Sequence, residues 1–205
     1  MSETEDISVD INIVRMYKKD DEGALVFREA WVDAGETDKE ENYFVLNHGV
    51  VGHQSTSKES SVDNEDEARG LLDAFKAQCT QDGYAVLDRE AQVVVVAQFA
   101  LKNARATDRD KYLQEKAVEA ITAHLAWRGS GIVEKSEIVE GPHSTGKLNI
   151  YILAPDAARA VANIKVCIRE EKLDFTKLSI GVAPANDLLA IKAKHSPSGG
   201  TVFSL

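Results

Sequence analysis

The stretch Val93-Val94-Val95-Val96-Ala97-Gln98-Phe99-Ala100-Leu101 constrains the chain more than any other. An apolar run of this length, without polar alternation, reads as a strand buried on both faces, since a half-exposed strand alternates with period two. A polar segment then leads to Asp108, the expected cap of a helix over about 109–128. Its inward stripe is Leu113, Ala117, Ala120, Ile121, His124 and Leu125, and Gly129-Ser130-Gly131 ends it. Strands are expected over about 132–140 and 147–154, joined by the glycine-bounded loop 141–146. Asp156 caps a second helix whose inward residues are Ala157, Val161, Ile164 and Ile168, and a strand of about 177–183 follows. Residues 188–195 have the pattern of a further strand. Beyond the turn 196–200, the apolar end Thr201 to Leu205 either packs down or binds something.

The order βαββαβ resembles the split unit of ferredoxin-like folds, two helices on one face of an antiparallel sheet. That places one domain over 91–205, with a C-terminal extension.

The first half has a different pattern. Alternation at Val9, Ile11 and Ile13 predicts a strand running to the charged turn Lys18 to Gly23. A second strand over about 24–32 puts Leu25, Phe27 and Trp31 on one face, with Glu29 as the exception. The carboxylate-rich loop 33–42 leads to Tyr43-Phe44-Val45-Leu46-Asn47-His48-Gly49-Val50-Val51-Gly52-His53-Gln54, an apolar strand entering a turn with two glycines. Glycine is expected there because it tolerates positive φ or a close backbone. A fourth strand spans about 55–61. Asn64 and Glu67 form a capping-box-like start to a helix with Ala68, Leu71, Leu72, Phe75 and Cys79 on one stripe, stopped at Gly83.

Leu46 to Gly52 resembles the central motif of the WGR domain, with His48 in the tryptophan place and Val50 in the arginine place. The resemblance covers about residues 9–87 and implies an antiparallel sheet plus one helix, a domain over 8–88. In that family the tryptophan and arginine hold nucleic acid, so the turn residues Asn47, His48, Gly49 and Gly52, with nearby Lys58, are the expected binding set. The fold expected overall is α+β, a WGR-like unit followed by a ferredoxin-like unit.

Charge opposes the nucleic-acid function. Residues 1–90 carry 9 Lys and Arg against 22 Asp and Glu, a net of -13, and residues 91–205 carry 15 against 12, a net of +3. The first half repels a polyanion at long range. Gly141-Pro142-His143-Ser144-Thr145-Gly146-Lys147 has the glycine and lysine spacing of a P-loop. However, Leu148 stands where a Ser or Thr would hold the metal, and a strand pattern follows instead of a helix. His48 and His53 have no cysteine nearby, short of the four ligands of a structural zinc site, so neither metal nor cofactor is expected. No nucleophile elbow or other local catalytic context appears, and no catalytic residue is assigned.

Cys79 and Cys167 fall on apolar helical stripes and read as buried free thiols. The first six residues are acidic where a secretory signal would be basic and then apolar, and no apolar run approaches ~20 residues. A cytoplasmic protein follows as the expectation. The function expected is non-catalytic recognition of a protein partner, a basic one, as in a bacterial adaptor or an inhibitor of a nuclease or toxin. Nucleic-acid binding through the turn, with Asn47, His48 and Lys58 in contact, is the alternative. A small-molecule enzyme or sensor with an interdomain pocket is the third.

Overall fold

The computed structural model describes residues 13–33, 42–141 and 145–205. The strand signal at Val9 and Ile11, the carboxylates Asp38 to Glu41 and the loop residue His143 lie outside the described residues. The chain is mixed α+β, with two antiparallel sheets and three helices among the described residues. It divides into two compact units. One holds the described residues up to His48 together with Thr56–Val86, and the other holds Gly49–Ser55 with Leu87–Leu205.

In the first unit, β1 (Val14–Lys19), β2 (Leu25–Asp33), β3 (Asn42–Val50) and β4 (Thr56–Val62) form one sheet in sequence order, followed by α1 (Glu65–Gln81). Ala30, Phe44 and Val62 of the sheet close on Ala68 of α1, with Leu71, Leu72 and Phe75 packed beside them. The Asn64 side chain accepts the Glu67 N–H at 2.9 Å, as its place before the helix predicts. The Glu67 carboxylate accepts from Asp63 N–H at 2.8 Å, one residue before the cap. Glu29, the odd residue of β2, is 1% exposed and lies opposite Arg15 of β1, whose Nε donates to it at 2.8 Å. Burial of a lone carboxylate would be prohibitive, and this guanidinium is what permits it.

In the second unit, the apolar run becomes β5 (Val93–Ala100). It is followed by α2 (Asp108–Ala126), β6 (Ile132–Val139), β7 (Lys147–Ala154), α3 (Ala157–Glu170), β8 (Leu178–Pro184) and β9 (Lys192–His195). The spatial order is β6-β7-β5-β8-β9, so β5 is the central strand and pairs antiparallel with both β7 and β8. Its two faces lie in two apolar clusters. Val95, Ala97 and Phe99 join Ile121, Leu125, Ile164 and Ile168 of the helices, while Val94 and Val96 join Tyr151 on the other side. Each fully buried Ile or Leu contributes roughly 1.5–3 kcal/mol, so the helix-side cluster dominates this unit's stability.

Two boundaries differ from expectation. Thr107, not Asp108, caps α2: its backbone is extended, and its N–H and hydroxyl both donate to Asp110, so Asp108 is already helical. The expected strand over 188–195 is shortened to Lys192–His195, because Leu188–Ala190 curl into a short 3-10 turn. Cys79 and Cys167 are both free and buried.

Candidate functional site

The turn residues expected to bind are not presented together. Pairing of β3 with β4 sets Leu46 opposite Lys58 and His48 opposite Thr56. Strand alternation therefore puts exposed His48 and exposed Lys58 on one face and Asn47 on the other. Asn47 is 2% exposed and its amide donates to Glu29 at 3.4 Å, completing the buried Arg15 cluster. Gly49 lies inside β3, whereas Gly52 has φ +89° and alone of the two needs a glycine conformation. Residues 49–55 belong to the second unit. There Gly52 N–H donates to the Arg128 carbonyl at 2.8 Å and Ser55 N–H to that of Trp127 at 3.0 Å. A Cβ on Gly52 would come within 2.7 Å of the Arg159 side chain, so both the backbone conformation and the space require glycine.

The P-loop spacing at 141–147 is likewise structural. Gly141 N–H donates to the Ala104 carbonyl at 3.0 Å and Gly146 N–H to that of Asn103 at 2.8 Å, so neither amide is available for a phosphate.

A polar row and a resident chain segment lie instead on what we call the open face of the second sheet, the face turned away from α2 and α3. Register aligns Glu137 of β6, Asn149 of β7, Gln98 of β5 and Ser179 of β8 in one cross-strand row. Gln98 and Asn149 are buried, and the Gln98 amide donates to Asn149 Oδ1 at 2.9 Å. The same amide donates to the backbone carbonyl of Ser204 at 2.9 Å. Lys147 Nζ donates to that carbonyl and to the Ser204 hydroxyl, both at 2.8 Å. Two side chains thus grip one main-chain oxygen from the segment 201–205.

Beside this row the sheet is apolar, and Phe203 packs with Val94, Val96 and Tyr151. Gly181 makes room for it: a Cβ there would lie 2.8 Å from the Phe203 ring and 2.8 Å from Ile191. At the β6 edge the Tyr151 hydroxyl donates to Glu137, and Lys135 lies 4.4 Å over the Tyr151 ring. Burial, and then the Glu137 carboxylate, push the Tyr151 phenol well above its ordinary range, so it stays a donor.

A separate groove of about 440 Å³ lies between α2 and α3, lined by His124, Trp127, Arg128 and Glu170 among others. His124 Nδ1 is 3.6 Å from Glu170. Burial first, and then Arg128, lower the His124 pKa against the pull of Glu170. Its Nε2 is buried with no hydrogen-bond partner. Among the described residues no group of three His, Cys, Asp or Glu is placed to hold a metal ion. No helix there is long and apolar enough to cross a membrane.

The sequence points to Lys147 only as part of a P-loop-like spacing and to Phe203 only within an end that packs down or binds, and it does not single out Gln98, Asn149 or Gly181. Gln98 was the available signal, as the only side-chain amide within an otherwise apolar run. Phe203 was the other, a lone aromatic after a Ser/Gly-rich turn. The chain matches no protein-family model, no curated protein and no solved structure.

Proposed function

We propose that this chain is a non-catalytic, cytoplasmic recognition protein, and that the open face of its second sheet receives a segment of a protein partner. One observation carries this reading. Gln98 and Lys147 hold the main-chain carbonyl of Ser204 while Phe203 fills the space left by Gly181. Bonds to a main-chain oxygen accept many sequences, and a place for one aromatic ring selects among them, which is how peptide-recognition sites divide affinity and specificity.

Two fold assignments accompany it. The strand order of β5 to β8, with both helices on one face, supports a ferredoxin-like second unit. Four antiparallel strands followed by one helix support a WGR-like first unit that has His48 and Val50 at the name-giving positions. The net of -13 over residues 1–90 would steer a basic partner at low salt, as for an adaptor or an inhibitor of a basic nuclease or toxin. Nucleic-acid binding is the second reading, favoured by the exposure of His48 and Lys58 on one face. Absence of duplex or single-strand binding at low salt removes it, and binding unchanged in His48→Ala removes the turn from it.

The leading reading is tested by panning a random peptide library against the chain ending at Gly200, with its Gly181→Val variant as the control. Enriched peptides that share an aromatic residue and are lost on the variant are expected. Equal recovery on both proteins would count against the proposal.

A further inference from the structure

The segment on the open face is held at few points. Phe203 is its packed residue, while Val202 is 87% exposed and Leu205 is 42% exposed. Lys147 Nζ donates at 2.8 Å to the carbonyl and to the hydroxyl of Ser204, both neutral oxygens, and at 3.5 Å to the main-chain oxygen of Leu205. A carboxylate in that place would make a charge-assisted bond, roughly twice as strong as a neutral one. The neighbouring carboxylate on this face, Glu137, is already engaged by the Tyr151 hydroxyl.

Resting on the reading of this face as a docking surface, we infer that residues 202–205 occupy it as an internal competitor of the partner. The partner's own segment carries an aromatic residue followed directly by Asp or Glu. The aromatic ring takes the place of Phe203 above Gly181, the carboxylate meets Lys147, and the resident segment is displaced. Binding to the intact chain is then weakened by the fraction of molecules in which the face is covered.

Fluorescein-labelled peptides Thr-Val-Phe-Ser-Leu, Thr-Val-Phe-Asp-Leu and Thr-Val-Ala-Asp-Leu test this by anisotropy. Each is titrated with the intact chain, with the chain ending at Gly200, and with Phe203→Ala in the full chain as a milder opening. Circular dichroism confirms that each protein is folded. The opened forms are expected to bind the Phe-Asp peptide roughly tenfold more tightly than the intact chain does. They should prefer it to the Phe-Ser peptide by roughly threefold or more, a preference erased by Lys147→Ala, and should not retain the Ala-Asp peptide. Equal binding by intact and opened chains overturns the competition while leaving a docking surface. No preference for Asp overturns the acidic specificity. Failure of every peptide on both folded opened forms overturns the docking surface itself.

Discussion

Lys147 Nζ lies 2.8 Å from the backbone carbonyl oxygen of Ser204, a residue 57 positions away on a segment outside the sheet. The contact ties residues 201–205 to β7. Lys147→Ala is therefore expected to loosen that segment without unfolding the unit. The bond is partly exposed and its worth is about 1 kcal/mol or less. Backbone order from nitrogen relaxation should fall at Phe203 to Leu205 and stay unchanged in β5, whereas unchanged order in the segment would show that Lys147 does not hold it.

Gly181→Ala places a methyl group where the Phe203 ring and Ile191 now lie, 2.8 Å from each. The contacting atoms are a carbon of the Phe203 ring and Cδ1 and Cγ1 of Ile191, all side-chain atoms, so these side chains shift rather than the backbone. The expected result is release of residues 201–205, read as faster proteolysis after the turn 196–200, with little change in the unfolding midpoint. A fall in unfolding free energy by more than about 2 kcal/mol would place Gly181 in the core rather than beneath a movable segment.

The buried pair Arg15–Glu29 makes a different prediction. Arg15 is 7% exposed and Glu29 is 1% exposed, so removing the carboxylate leaves a guanidinium uncompensated in a dry environment. Glu29→Ala should cost about 3–5 kcal/mol in urea unfolding. Replacing both residues by apolar ones of similar volume should cost clearly less, because the desolvation penalty disappears with the charges. Equal losses in the single and double variants would contradict this.

His124 and His195 give stability a pH dependence of fixed sign. Burial is the leading cause that lowers both, helped by Arg128 at His124 and by Lys165 and Arg169 at His195. In the unfolded chain each would take up a proton near about pH 6.5, before the folded chain does. Their contribution is intact above that pH and is lost as the pH falls toward the lowered folded values. Between about pH 7.5 and 5.5 the native chain should lose more stability than His124→Gln does. An equal loss would remove His124 as a source.

Burial first, and then Glu171 and Glu170, push the Cys167 thiol up to about 11, and burial also raises Cys79. Both thiols should resist an aromatic disulfide reagent at neutral pH until the chain is unfolded, since the thiolate is the reactive form. Rapid modification of the native chain would contradict their burial.

Much of the scaffold could be read from local pattern. The strand from Val93 was legible because apolar side chains on both faces leave no other reading, and Asn64 and Asp156 announced their helices by capping chemistry. Asp108 misled because Thr107 stands beside it with Asp110 in reach, and two adjacent capping residues look alike in sequence. The polar row on the open face of the second sheet was not legible. Gln98, Asn149 and Ser204 meet only once β7 and the segment 201–205 are brought to β5, and no local rule carries that register. Glu29 stood out as an exception on β2, yet its partner Arg15 emerged only with the pairing of β1 and β2.

The central claim, that the open face of the second sheet docks a protein segment, is tested most directly by backbone amide shift mapping. The aromatic-acidic peptide is titrated into the isotope-labelled chain ending at Gly200. Saturable shifts gathered at Gln98, Lys147, Asn149 and Gly181 are predicted. Shifts confined to the turn 49–55 or to the α2–α3 groove, or none at saturating peptide, would contradict it.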